Sequence, residues 1–199
     1  MNVNNSAKIG TMLSFKEDDF YFVQVIKRRK DNPEMERGEI ILKNYYINSI
    51  EQYIKVVPNI IKLCDMENAR AYIRINKRNY KRLAHPMLKL VVEYIAGGQH
   101  KSMPNVFDAV VGRNHSDPDK RWVIDIDWVD ITDNDVDAVN VLSFIENEVN
   151  KTGKDNTVEI IPTKNGVHYI SRPFNVKVFK DKYPFIIVGK DSCTLLYCP

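Results

Sequence analysis

Residues Arg121 to Trp128 read Arg-Trp-Val-Ile-Asp-Ile-Asp-Trp, and this octet restricts the possible folds more than any other stretch of the chain. Apolar residues at alternate positions mark a strand. Trp122, Ile124, Ile126 and Trp128 fall on one face, and Val123, Asp125 and Asp127 on the other. Two carboxylates therefore share a face of a half-buried strand. Ionised groups in that setting are costly unless neutralised, and a divalent cation with hard oxygen ligands, Mg²⁺ or Mn²⁺, neutralises them. The pattern hydrophobic-hydrophobic-Asp-X-Asp thus points to a metal-dependent phosphoryl-transfer site. The competing reading is a strand end entering an acidic loop, since Asp130, Asp133, Asp135 and Asp137 follow.

A chain of 199 residues can form one large domain or two interlocked lobes. No apolar run approaches bilayer length, and the N-terminal Met-Asn-Val-Asn-Asn-Ser has neither the charged nor the apolar region of a signal peptide. A cytoplasmic protein without a membrane partner is expected. Cys64, Cys193 and Cys198 are odd in number and lack C-x-x-C spacing, which argues for reduced thiols rather than disulfides or a zinc site. The formal net charge of +3 is unevenly spread: residues 1–120 carry 20 Lys/Arg against 14 Asp/Glu, and residues 121–199 carry 9 against 12. A basic lobe beside an acidic one suits a polyanionic substrate.

Organisation along the chain follows from periodicity. Phe20–Lys27 and Glu39–Ile47 read as strands around a loop. Ser49 and Gln52 form a capping-box pattern that opens a helix, with Ile50, Tyr53, Ile54, Val57 and Ile61 at helical spacing. Ala69–Ile75 alternates as a strand, and a helix follows from about Tyr80 to Ala96. The Gly97-Gly98 stop and the polar Gly112–Lys120 stretch mark a seam. This divides the chain into an N-terminal basic α/β module, residues 1–120, and a second unit, residues 121–199, unless the two interlock as one domain. In the second unit strand 121–128 precedes a helix at about 134–150, then strands Thr157–Ile161 and Val167–Ser171 joined by an Asn165-Gly166 turn, a helix at about 174–182 and strand Phe185–Lys190. The order β-α-β-β-α-β is the split βαβ arrangement of RRM-like domains, giving an α+β fold. Its first and third strands are neighbours, which sets Asp125 and Asp127 beside His168.

His168 stands out among four histidines because His85, His100 and His115 lie in polar or loop contexts. It reads either as a satisfied core histidine or as a donor to phosphate oxygens beside the carboxylate pair. Val123-Ile124-Asp125-Ile126-Asp127 and Gly166-Val167-His168, in that order and placement, resemble the first two motifs of the archaeo-eukaryotic primase (primase-polymerase) superfamily, over residues 121–199. The resemblance implies an RRM-like palm and a primase or DNA polymerase activity in DNA replication. It also implies that His168 contacts the incoming nucleotide, with Lys164 or Arg172 assisting. The family's third motif, a hydrophobic residue followed by Asp, has its nearest counterpart in Asp191, which the resemblance makes a third metal ligand with Asp125 and Asp127, although Gly189 and Lys190 separate it from the hydrophobic run. Mg²⁺ or Mn²⁺ as cofactor, nucleoside triphosphates and single-stranded DNA template as partners, and a separate helicase follow from the same resemblance.

Residues 70–82 hold six basic groups and no acid. Arg70, Tyr72 and Arg74 on one strand face, with Arg78 beyond, form a candidate nucleic-acid surface; a solvated helix edge is the alternative for Arg78, Lys81 and Arg82. The run Lys27-Arg28-Arg29-Lys30 reads as a solvated turn or a template contact. The preferred function is a template-directed nucleotidyltransferase. The alternatives are a non-catalytic RRM-like single-stranded nucleic-acid-binding protein, which would have to explain two acids on the open face where such domains place aromatics, and a metal-dependent nuclease.

Overall fold

A two-residue strand β1 (Val3–Asn4) and a short helix α1 (Ser6–Met12) precede β2 (Asp19–Arg28), in which Phe20, Tyr21, Phe22, Val23 and Val25 are all buried. A strand apolar on both faces needs cover on both sides. The computed structural model, which describes residues 2–113, 117–153 and 158–199, supplies it. β3 (Glu39–Ile47) pairs antiparallel with β2, and α2 (Ile50–Glu67) then covers Tyr21, Val23 and Val25 with Tyr53, Val57, Ile60 and Cys64. The Ser49 hydroxyl caps α2 by accepting from Gln52 N at 3.1 Å, as the capping-box pattern implies. β4 (Arg70–Arg74) buries Ala71 and Ile73 in the same core. β5 (Arg78–Asn79) leads into α3 (Tyr80–Ala96), and a 3₁₀ turn at His100–Asn105 leads into α4 (Val106–Arg113). These last helices cover Phe20 and Phe22 through Leu83, Leu90, Val106, Val110 and Val111.

The second antiparallel sheet begins with β6 (Trp122–Asp127). A short helix, α5 (Trp128–Asp133), follows at once, so Trp128 opens a helix instead of ending the strand. Asp127 occupies the extended cap position, and Asp130 lies in the first turn, where a negative charge suits a helix N-terminus. α6 (Ala138–Asn150), β7 (Glu159–Pro162), β8 (Gly166–Ser171), α7 (Val176–Lys182) and β9 (Ile187–Gly189) complete the unit, with strand order β7-β8-β6-β9. Ile124, Ile126, Val167 and Tyr169 pack beneath α6 and α7 against Val141, Ile145, Val149 and Phe179. The expected start of β7 at Thr157, like His115, lies outside the described residues.

One strand crosses the seam at residue 120 and interlocks the two parts of the chain. β10 (Cys193–Cys198) does not belong to the second sheet; it inserts between β1 and β4 of the first, giving the order β1-β10-β4-β2-β3. Val123, Ile161 and Ile170 of the second sheet are buried in the core formed by α2, β2 and β4. The two sheets therefore share one core, because burial there removes apolar area that neither sheet could cover alone. The architecture is mixed α+β, with two antiparallel sheets and seven α-helices among the described residues. No helix among those residues is long and apolar enough to cross a membrane.

Candidate active-site cleft

The register of β6 against β8 puts Asp125 opposite His168 and Asp127 opposite Gly166. Gly166 is required by close backbone approach: a Cβ there would lie 2.0 Å from the Ile126 carbonyl oxygen and 2.9 Å from Asp127 Cα. This gives a physical reason for a residue without a side chain two positions before His168. Asp125 Oδ1 stands 3.2 Å from His168 Nε2, and the opposite ring nitrogen, Nδ1, lies 2.8 Å from Thr194 Oγ1. His168 is largely buried, whereas the Asp125 side chain is 44% exposed and open to approach.

These residues form one wall of a cleft of about 340 Å³. The other wall comes from the first sheet: Arg28 and Lys30 at the end of β2, and Arg70 and Tyr72 on β4. Lys164 and Asn165 of the β7–β8 turn close one end. Arg28 donates to the Tyr72 hydroxyl at 3.0 Å and pairs with Glu39 at 3.1 Å. Arg70 and Lys164 share Asp31, at 2.6 and 3.1 Å. Although burial raises the Asp31 pKa, hydrogen bonds from Arg70 and Lys164 outweigh it and hold the carboxyl below its ordinary value. Arg70 Nε is buried with no hydrogen-bond partner among the described residues. Asp127 shows the opposite balance. Burial first, then the charges of Asp125 and Asp130, push its pKa up, and Lys30 and His168 offset this only in part.

Asp127 is thus short of positive charge, and with Asp125 on the same strand face the two carboxylates offer a cation-binding donor set. No third His, Cys, Asp or Glu joins it among the described residues. A set of one or two carboxylates completed by substrate phosphates is the usual environment of Mg²⁺ at phosphoryl-transfer sites, so Asp125 and Asp127 fit such an ion, while the described residues form no cage made only of protein ligands.

Four residues named from sequence fall elsewhere. Asp191, expected as a third ligand, lies beyond β9 and gives both carboxylate oxygens to Arg78, at 3.0 and 2.8 Å. β9 runs antiparallel to β6 with Ile187 opposite Asp125, so the chain moves away from the pair before it reaches Asp191. Asn76 bridges Asp191 and the Arg121 carbonyl, and Arg121 precedes Asp125 by four residues, roughly 13 Å of strand. Arg172 pairs with Asp119 at that same far end and does not line the cleft. Arg78 is fully buried and cannot meet nucleic acid, since its guanidinium is bound by Asp191, Val111 O and Asn76 O. Arg74 donates to the Asp191 carbonyl and is likewise absent from the cleft lining. Arg70, Tyr72 and Lys164 do line it. Arg28 and Lys30 join them; the period-two alternation of a strand continued through Arg28 was the available signal, and the basic run around it obscured that signal.

Comparison with models of known protein families, with curated proteins and with solved structures finds no match.

Proposed function

We propose that the chain is a metal-dependent, template-directed nucleotidyltransferase of the primase-polymerase type, with β6 to β9 as an RRM-like palm. The observation that carries this reading is the polarity of the cleft: Asp125, Asp127 and His168 on one wall face Arg28, Lys30 and Arg70 on the other, with Lys164 closing one end. The strand order β7-β8-β6-β9 supports the palm reading, since it places the first and third strands of a split βαβ unit at the centre. Asp125 and Asp127 would hold a divalent cation, which would supply charge neutralisation at the phosphates. Arg28, Lys30 and Lys164 bind and orient the triphosphate, His168 Nε2 turns its proton from Asp125 Oδ1 to a phosphate oxygen when the nucleotide enters, and Tyr72 lies where a sugar or base can rest. The protein's contribution is placement and fixed charge, the terms that dominate phosphoryl transfer.

One observation favours a second reading, nucleic-acid binding without transfer. Ile187, 64% exposed, occupies the β9 position opposite Asp125, where a third carboxylate would complete the metal site. Incubation with Mn²⁺, labelled nucleotides and primed or unprimed single-stranded DNA separates the readings. Nucleotide incorporation that Asp125→Asn and Asp127→Asn each abolish supports transferase activity. Binding without incorporation selects the second reading, and degradation of the DNA selects a nuclease.

A further inference from the structure

We propose that Thr194 is a positioning residue that fixes the ring tautomer of His168 and so aims its Nε2 proton into the cleft. The inference deepens the nucleotidyltransferase reading and rests on it for its kinetic consequence, though not for its structural one.

Thr194 belongs to β10, in the first sheet, where it pairs with Ile73 of β4. It is fully buried, and its hydroxyl meets the second sheet at His168 Nδ1, 2.8 Å away. A hydroxyl carries one donor, and a buried donor left without an acceptor is penalised. Among the described residues the His168 ring nitrogen is the partner that hydroxyl has, so Thr194 donates to a bare Nδ1. The other side of the ring imposes the same choice. Nε2 stands 3.2 Å from Asp125 Oδ1, and a carboxylate only accepts; a lone pair on Nε2 would face another lone pair. Both contacts therefore put the ring proton on Nε2. Without the hydroxyl the Asp125 contact still favours the proton on Nε2, but nothing holds Nδ1, so the ring is free to turn and its Nε2 donor is no longer aimed into the cleft. A hydrogen bond to the other ring nitrogen is the usual means by which a histidine's working nitrogen is set.

The test compares wild type with Thr194→Val, which keeps the β-branched shape and deletes the hydroxyl, and Thr194→Ser, which keeps the hydroxyl. Nitrogen-15 ring spectra are recorded on the metal-free protein at a pH where the ring resonances are those of neutral imidazole, with His168 assigned through His168→Gln. In wild type and Thr194→Ser, Nε2 is protonated and Nδ1 resonates as a hydrogen-bonded acceptor; in Thr194→Val the Nδ1 resonance moves to that of an unbonded lone pair. KM for the nucleotide rises about tenfold in Thr194→Val, the scale of one lost hydrogen bond, with kcat changed far less, and Thr194→Ser restores it. Nδ1 protonated in wild type, or ring resonances unaltered by Thr194→Val in a protein with wild-type circular dichroism, overturns the proposal, as does an unchanged KM where transfer is measurable. If no variant, wild type included, transfers nucleotide while the resonances move as described, the positioning of His168 stands and the nucleotidyltransferase reading fails.

Discussion

Replacing Asp191 by asparagine distinguishes a structural ion pair from a metal ligand, and the structure sets the size of the effect. Arg78 is fully buried, and its guanidinium donates two charge-assisted hydrogen bonds to the Asp191 carboxylate, with the Val111 and Asn76 carbonyls taking the remaining donors that are satisfied. Burial already lowers the pKa of Arg78, and Asp191 is the chief counterweight. The asparagine side chain would keep one neutral acceptor and leave the guanidinium charge uncompensated. Breaking a buried pair in this way costs about 3–5 kcal/mol. Asp191 is itself 21% exposed, so water partly replaces it, and the lower end, about 3 kcal/mol, applies. For a chain of this length that corresponds to a fall in Tm of roughly 6–12 °C. Scanning calorimetry and urea denaturation both measure it. The double variant Arg78→Met, Asp191→Leu should recover part of the loss, because removing both charges leaves no uncompensated guanidinium but deprives the Val111 and Asn76 carbonyls of their donor. A fall in Tm below about 2 °C for Asp191→Asn, under about 1 kcal/mol, would refute the assignment and return Asp191 to the pool of metal ligands.

Asp125→Asn and Asp127→Asn behave oppositely in stability: each removes one of two mutually repelling carboxylates, so Tm stays level or rises while nucleotide incorporation is lost, and a fall of several degrees would contradict this charge account. Asp31 has a folded pKa below its ordinary 3.8, so the stability it contributes is complete above that value and is lost as pH falls through the lower folded value; Asp31→Asn should weaken the acid limb of a Tm-versus-pH curve, and an unchanged limb would mean that Arg70 and Lys164 do not hold it. Gly166→Ala drives a Cβ into backbone atoms that no rotamer change can relieve, so it costs at least the upper end of the usual range for overpacking, about 3 kcal/mol, and disrupts the Asp125–His168 register; wild-type stability and activity in this variant would show that β6 and β8 can part at no cost.

Those elements whose local pattern agrees with their environment are legible in the sequence. Glu39–Ile47 forms a strand over the expected residues, Ser49 caps its helix, and the alternation of Arg70 to Ile75 sends Ala71, Ile73 and Ile75 into the core as expected. Elements whose environment is supplied by distant chain are not. Thr194 to Cys198 is buried at every position, so β10 carries no alternation to read, and its partners, Val3 at one side and Arg74 at the other, lie far away in sequence. The same distinction separates the site residues. Asp125, Asp127 and His168 follow from period-two placement on adjacent strands. Asp191, a metal ligand only by resemblance, and Arg78, a nucleic-acid contact only by its place in a basic run, neutralise one another across 113 positions, a pairing that no local pattern encodes.

The charge asymmetry along the chain takes its physical form in the cleft. Residues 121–199 supply Asp125 and Asp127, and residues 1–120 supply Arg28, Lys30 and Arg70, with Lys164 added by the β7–β8 turn. The cationic wall is not fully free, because Asp31 is shared by Arg70 and Lys164 and Glu39 pairs with Arg28. Counting these partners, the cations and carboxylates about the cleft balance. In the proposed reading a triphosphate entering alone would bring uncompensated negative charge next to a carboxylate pair in which Asp127 is already short of positive charge, whereas one entering with its divalent cations carries its own compensation. If the proposed function holds, the balance argues that nucleotide and metal bind as a unit. It also accounts for a site with two carboxylates: a third in place of Ile187 would tip this cleft toward negative charge unless another cation accompanied it.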